Sequence, residues 1–196
     1  MKKALALILS LAMVLCLIPA VATATEVTAT QVTDATTLAT GDKVLVVAAE
    51  TNMALKNEIV ASYYLAGLAV TPAEGKITVD DDLVVWDLTV NADGTLTFVN
   101  GTTTLNKSDG FNSLSTTGEI HDWAIAAYAS DTITNAFTLS ESCETKGLSY
   151  LRWNAGYSDF TATPAATTAD ITSDMAMHIY KVDAAEPGES SDPGES

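Results

Sequence analysis

The sequence predicts an all-β domain, a β-trefoil-like barrel built from three unequal repeats. Three observations predict it. Thr is abundant between Glu26 and Val182, and apolar stripes at helical spacing are scarce. Gly, Asn and Asp punctuate the chain at short intervals, as turns between strands require. A set of strand-like pieces recurs three times, which is the mark of a repeat architecture.

The elements follow in order. Residues 25–38 are a Thr-rich lead-in with room for a first strand. Lys43 to Ala49 is a nearly continuous apolar run after Gly41-Asp42, the pattern of a buried strand. Asn52 to Leu68, with Met53, Leu55, Ile59 and Val60, is the one stretch that reads as a short helix. Asp80-Asp81-Asp82 reads as a solvated loop, since three consecutive acids point in different directions and no convergent partner is visible. Leu83 to Val90 alternates, with Val84, Trp86, Leu88 and Val90 on one face. Asn91-Ala92-Asp93-Gly94 turns the chain into Thr95 to Asn100, a hairpin in which Gly94 supplies the positive φ. Strands are also predicted at Asp122 to Tyr128, Thr134 to Leu139, Leu148 to Trp153 and Met175 to Val182.

Laid together, these pieces form three units. Each opens on an apolar strand: Val44-Val46, Leu96-Phe98 and Phe137-Leu139. Each continues with a leucine, in Ala54-Leu55, Thr104-Leu105 and Tyr150-Leu151. Each closes on a large residue: Trp86, Trp123, and in the third the Met177-His178-Ile179-Tyr180 segment. Closing such units into a barrel removes free sheet edges. The domain is expected over residues 39–183. A β-sandwich or a partly open barrel is the alternative, because strands resemble one another whatever sheet they join.

The two ends carry other signals. Residues 1–24 have the parts of a secretory signal peptide. Lys2 and Lys3 are followed by an apolar run from Ala4 to Leu17 and by the A-x-A site Ala22-Thr23-Ala24. This predicts a secreted or cell-surface protein with no membrane attachment after cleavage. Cys16 leaves with the leader, so Cys143 remains unpaired in a polar stretch that reads as a turn. Residues 184–196 form a disordered Pro/Gly/Glu/Ser linker, in which Pro-Gly-Glu-Ser recurs. Such a tail predicts covalent neighbour domains beyond Ser196.

Charge and composition narrow the function. The chain has 9 basic against 25 acidic side chains, a net charge of −16. Without Lys2 and Lys3 the balance is −18. So few cations cannot neutralise many phosphates, which argues against nucleic acid as a partner. Catalysis is not expected. His121 and His178 read as strand residues, and side chains at His121 and Asp122 point to opposite faces of a strand. There is no nucleophile elbow, phosphate loop or zinc spacing, so no cofactor and no metal are predicted.

One segment stands out. Ser149 to Phe160 holds Tyr150, Arg152, Trp153, Tyr157 and Asp159. Aromatic faces stack on the C–H surfaces of sugars, while guanidinium and carboxylate groups satisfy hydroxyls. These five residues are therefore the candidate ligand site, and a glycan is the candidate partner. The competing assignment puts the aromatics in the core and Arg152 against a nearby acid.

A resemblance adds to this reading. It is carried by Leu38 to Val47, by the Trp86 and Trp123 strands with the Asn91-Ala92-Asp93-Gly94-Thr95 hairpin, by Tyr150 to Asn154, by Asp159-Phe160 and by Met177 to Val182. Together these resemble a β-rich accessory module of secreted multidomain surface proteins in Gram-positive gut bacteria and Bacteroidetes. There it accompanies extracellular phosphoesterases, nucleotidases, nucleases and adhesin-like repeats. The resemblance implies a non-catalytic accessory role and carries over no catalytic residue. The sequence thus points to a glycan- or surface-binding module. A structural spacer or adhesion domain is the alternative, and a hydrolase ranks behind both.

Overall fold

The computed structural model describes residues 26–115 and 120–184. The predicted leader, and the linker from residue 185 onward, lie outside the described residues.

The chain is all-β. A lead-in strand β1 (Val27–Gln31) precedes the first unit, made of β2 (Lys43–Ala48), β3 (Met53–Val60), β4 (Tyr64–Ala69), an inserted β5 (Lys76–Val79) and β6 (Trp86–Val90). The second unit holds β7 (Leu96–Asn100), β8 (Thr103–Thr104), β9 (Asn106–Lys107), β10 (Leu114–Ser115) and β11 (Ala124–Ala127). The third holds β12 (Phe137–Cys143), β13 (Gly147–Asn154), β14 (Asp159–Pro164) and β15 (Met177–Val182).

The pairing closes a ring. β2 pairs with β6, β6 with β7, β11 with β12, β12 with β15, and β15 with β2. Between β7 and β11 the ring is completed by Leu96 and Trp123, which exchange N–H···O bonds of 2.8 Å in both directions. The ring is uneven, since the β12–β15 junction is the single pair Phe137–Met177. Hairpins β3–β4, β9–β10 and β13–β14 project from it, one per unit. First and last strands of each unit in the wall, with a hairpin between them, make a β-trefoil-like barrel.

Side-chain alternation explains the barrel. Val44 and Val46, Trp86 and Leu88, Leu96 and Phe98, Trp123, Phe137 and Leu139, and Met177 and Ile179 all join one buried core. The repeat is visible in its hydrogen bonds. Trp86 Nε1 donates to Leu55 O at 3.0 Å, and Trp123 Nε1 donates to Leu105 O at 3.0 Å. Met177, opposite Phe137, stands where Trp86 stands opposite Val44. β2 is continuously apolar because both its faces are covered. Leu45 and Val47 pack outward with Ala29, Ile77 and Tyr180, under a ribbon in which β5 pairs with β1 and β1 with β15.

The structure corrects several local expectations. Asn52 to Leu68 is the β3–β4 hairpin and not a helix. A bulge between Leu55 and Ile59 breaks its alternation, and the positive φ of Ala61 and Ser62 (48° and 68°) closes its turn. Leu83 and Val84 belong to a 3-10 turn before β6. Asp81 caps this turn, accepting from Leu83 N at 2.9 Å, and its carboxylate lies 3.1 Å from Lys56 Nζ. β12 runs past Leu139 to Cys143, so Cys143 is a buried strand residue and the turn falls at residues 144–146.

Candidate functional site

The β13–β14 hairpin has two faces. On the inner face Leu151, Trp153, Phe160 and Ala162 enter the core. Trp153 packs edge-to-face on Phe160 with centroids 5.0 Å apart. It also needs Gly67 of β4, where an added Cβ would lie 2.6 Å from the indole ring. Trp153 is only 5 % exposed. Tyr150 points to the outer face but is covered by Ala165, Met175 and Ile171. Neither residue presents an aromatic face to solvent, which corrects the reading of the whole aromatic run as one recognition surface.

The other three predicted residues do come together. Arg152, Tyr157 and Asp159 line one cavity of about 410 Å³, with Asn154, Thr161 and Thr163 from the same hairpin face and with Tyr64 and Asn112 opposite. The register explains this grouping. Arg152 pairs with Thr161 and Asn154 with Asp159, so strand alternation sets their side chains side by side. Arg152 Nε donates to Asp174 Oδ2 at 2.6 Å, which fixes the guanidinium and neutralises it. Tyr157, on the turn, is 81 % exposed.

Asp159 is the unusual group. It is buried, and its Oδ1 has no hydrogen-bond partner among the described residues. Burial pushes its carboxyl above the usual carboxylate range. Glu141, the other buried acid of this half of the molecule, is different. It accepts from the backbone N–H of Asp122 and, at 3.0 Å, from that of Ser142. One buried carboxylate is therefore satisfied by the fold, while the other, on a residue that lines the cavity, keeps an oxygen without a partner among the described residues.

A second cavity of about 750 Å³ adjoins the first and shares Tyr64 and Asn112 with it. Tyr63 and Phe111 flank it, 62 % and 72 % exposed. Phe111 sits on a loop tied down from within. The ammonium of buried Lys107 donates to Ser108 O and Phe111 O, and the Asp109 carboxylate accepts from Thr145 N at 3.1 Å and from its hydroxyl at 2.9 Å. Asn112 O accepts from Ala162 N at 2.9 Å and from the Thr161 hydroxyl, so this loop is joined to β14. Tyr63, Tyr64, Phe111 and Asn112 were outside the predicted site. The adjacent Tyr63-Tyr64 pair was a usable signal, but their approach to residues 150–160 depends on the closed ring.

Neither histidine lines these cavities. His121 Nε2 is 3.9 Å from Asp122 Oδ1, beyond hydrogen-bond range. His178 Nε2 lies 3.1 Å from Thr134 O, and burial lowers its pKa.

No family model matches the chain, and no curated protein matches it. Among solved structures, it is similar to a GlcNAcα1-4Gal-releasing endo-β-galactosidase from Clostridium perfringens. The identity is 10 % and the TM-score 0.52, over 72 % of this chain and 33 % of that one. The chain thus spans about a third of that enzyme's length, and the likeness is one of fold. It is also similar to ThreeFoil, a designed protein with threefold symmetry, at 14 % identity and a TM-score of 0.45, over 72 % of this chain and 99 % of that one.

Proposed function

We propose that this protein is a non-catalytic accessory module that binds a glycan in the cavity between β14 and the residue 108–113 loop. One observation carries the reading: the buried, unpartnered carboxylate of Asp159 lines a cavity that an exposed tyrosine, Tyr157, also lines. Sugar hydroxyls are donors that such an oxygen lacks, and Tyr157 offers a ring face to the sugar's C–H surface. The cavity also falls within the range of small-molecule sites, roughly 300–1,000 Å³.

A binding role fits better than hydrolysis. Glycosidases of the common kinds flank the bond with two carboxylates. Asp159 is the only carboxylate among the described residues that line the two cavities. The endo-β-galactosidase of similar fold acts on a glycan, which lends support of a general kind. The proposal also sets the module outside a bacterial cell, within a longer surface protein. Its support is the leader pattern of residues 1–24 and the Pro/Gly/Glu/Ser run after Asp183.

The spacer or adhesion reading is favoured by a different observation, the burial of Tyr150 and Trp153. A glycan array probed with the full chain separates the two. Binding by the parent protein that is lost in Tyr157→Ala supports the site. A blank array with folded protein supports the spacer.

A further inference from the structure

Resting on that reading, we infer that the ligand is an uncharged oligosaccharide of at least two sugar units. One unit sits against Asp159 and Arg152, and the next lies across Tyr63 and Phe111. Two observations lead here, one about charge and one about shape.

The first cavity offers a ligand a negative environment. Asp159 brings a buried negative group with an unused acceptor oxygen. Arg152 is the chain's sole arginine, and its charge is already matched by Asp174 at 2.6 Å. The local balance is negative, on a protein whose net charge is −16. A hydroxyl donor entering this cavity gains a charge-assisted hydrogen bond. A carboxylate or sulfate entering it meets a like charge that water does not screen well. Among the described residues lining the two cavities, the one other cation is Lys146, in the second cavity.

Tyr64 and Asn112 line both cavities, so the second is an extension of the first and not a separate site. Its exposed flanking groups are the rings of Tyr63 and Phe111. They suit the apolar face of a second sugar ring and have no role in the core. Lys107 holds the loop at the Phe111 carbonyl, so the backbone that carries this ring is placed before a ligand arrives.

The test is an array carrying neutral oligosaccharides beside sialylated, sulfated and uronic-acid forms of the same cores. It is probed with the full chain and with Asp159→Asn and Tyr63→Ala/Phe111→Ala variants. Calorimetry on the best neutral probe and its terminal monosaccharide follows. The expected result is binding of neutral chains about tenfold or more tighter than their anionic forms. Asp159→Asn should narrow that ratio. Tyr63→Ala/Phe111→Ala should weaken the oligosaccharide about tenfold and leave the monosaccharide unchanged. Equal or tighter binding of the anionic forms would overturn the inference and leave the glycan site standing. A monosaccharide that binds as tightly as the oligosaccharide would overturn the second subsite. Binding to no glycan by folded protein would overturn both this inference and the site.

Discussion

Leu151, Trp153, Phe160 and Ala162 on one face of the β13–β14 hairpin are buried in the barrel core. Arg152, Asn154, Asp159 and Thr161 on the other face line a polar cavity. The two sets alternate along the same strands. The inner set is held by close packing of apolar groups, which is strong and indifferent to pH. The outer set is held by a few directed bonds and keeps one buried acceptor unsatisfied. The same dozen residues thus pack the core on one side and, in the proposed function, meet the ligand on the other, and substitutions should divide accordingly.

The largest expected effect is on the inner face. Trp153→Ala should cost about 3–5 kcal/mol by removing a buried ring from a packed core. Thermal unfolding checks this, since a domain of this size loses about 2–4 °C per kcal/mol. A drop of only a degree or two would show that Trp153 is not part of the core. Gly67→Ala comes next. Its new methyl would press on the Trp153 ring, at an expected cost of about 1–3 kcal/mol, and denaturant melts should register it.

The outer face should give the opposite sign. Asp159→Asn removes a buried carboxylate that lacks a partner, so it should stabilise the protein at neutral pH by about 1–3 kcal/mol. The pH dependence follows from the raised pKa. Protonation is favoured in the folded state, so the acid's relative contribution is fully present below its unfolded pKa and is lost as pH rises through its folded value. Paired melts at several pH values should show parent and variant converging in acid and separating as pH rises. Separation in the reverse direction would mean that the carboxylate is satisfied after all. Tyr157→Ala should be the smallest in stability, within about 0.5 kcal/mol, because the side chain is 81 % exposed. Its effect should appear in glycan binding alone.

Much of the fold was legible in the residues. The strands carrying Val44-Val46, Trp86, Leu96-Phe98, Trp123 and Phe137-Leu139 were readable from alternation and repetition, and they are the barrel wall. What misled was local irregularity. The bulge after Leu55 hid β3 behind a helix-like spacing, and the 3-10 turn at Asp82–Val84 extended an apparent strand. β5 and β14 were missed, since four-residue strands and Thr-rich strands look like loops when their partners are unknown.

The site was half legible. Three of the five residues singled out between 149 and 160 line one cavity, but strict alternation already separates Trp153 from Arg152 and Asn154. That distinction was available in the sequence. The opposite wall was not, because Tyr64 and Asn112 reach Asp159 only through the meeting of three units. Nor could the sequence distinguish Asp159 from Glu141. Both are buried acids in β-strands, and only the backbone around each decides which is satisfied.

If the outer face of β13–β14 binds a sugar as proposed, the inner face should stay unchanged on binding. Amide NMR on the isotope-labelled protein, titrated with the strongest neutral glycan from the array, tests it most directly. Shifts are expected at Phe111, Asn112, Arg152, Asn154, Tyr157, Asp159 and the Tyr63–Tyr64 turn, with the Trp86, Trp123 and Trp153 indole signals unchanged. Shifts centred instead on the β1–β5 ribbon, with the Asp159 region silent, would contradict it.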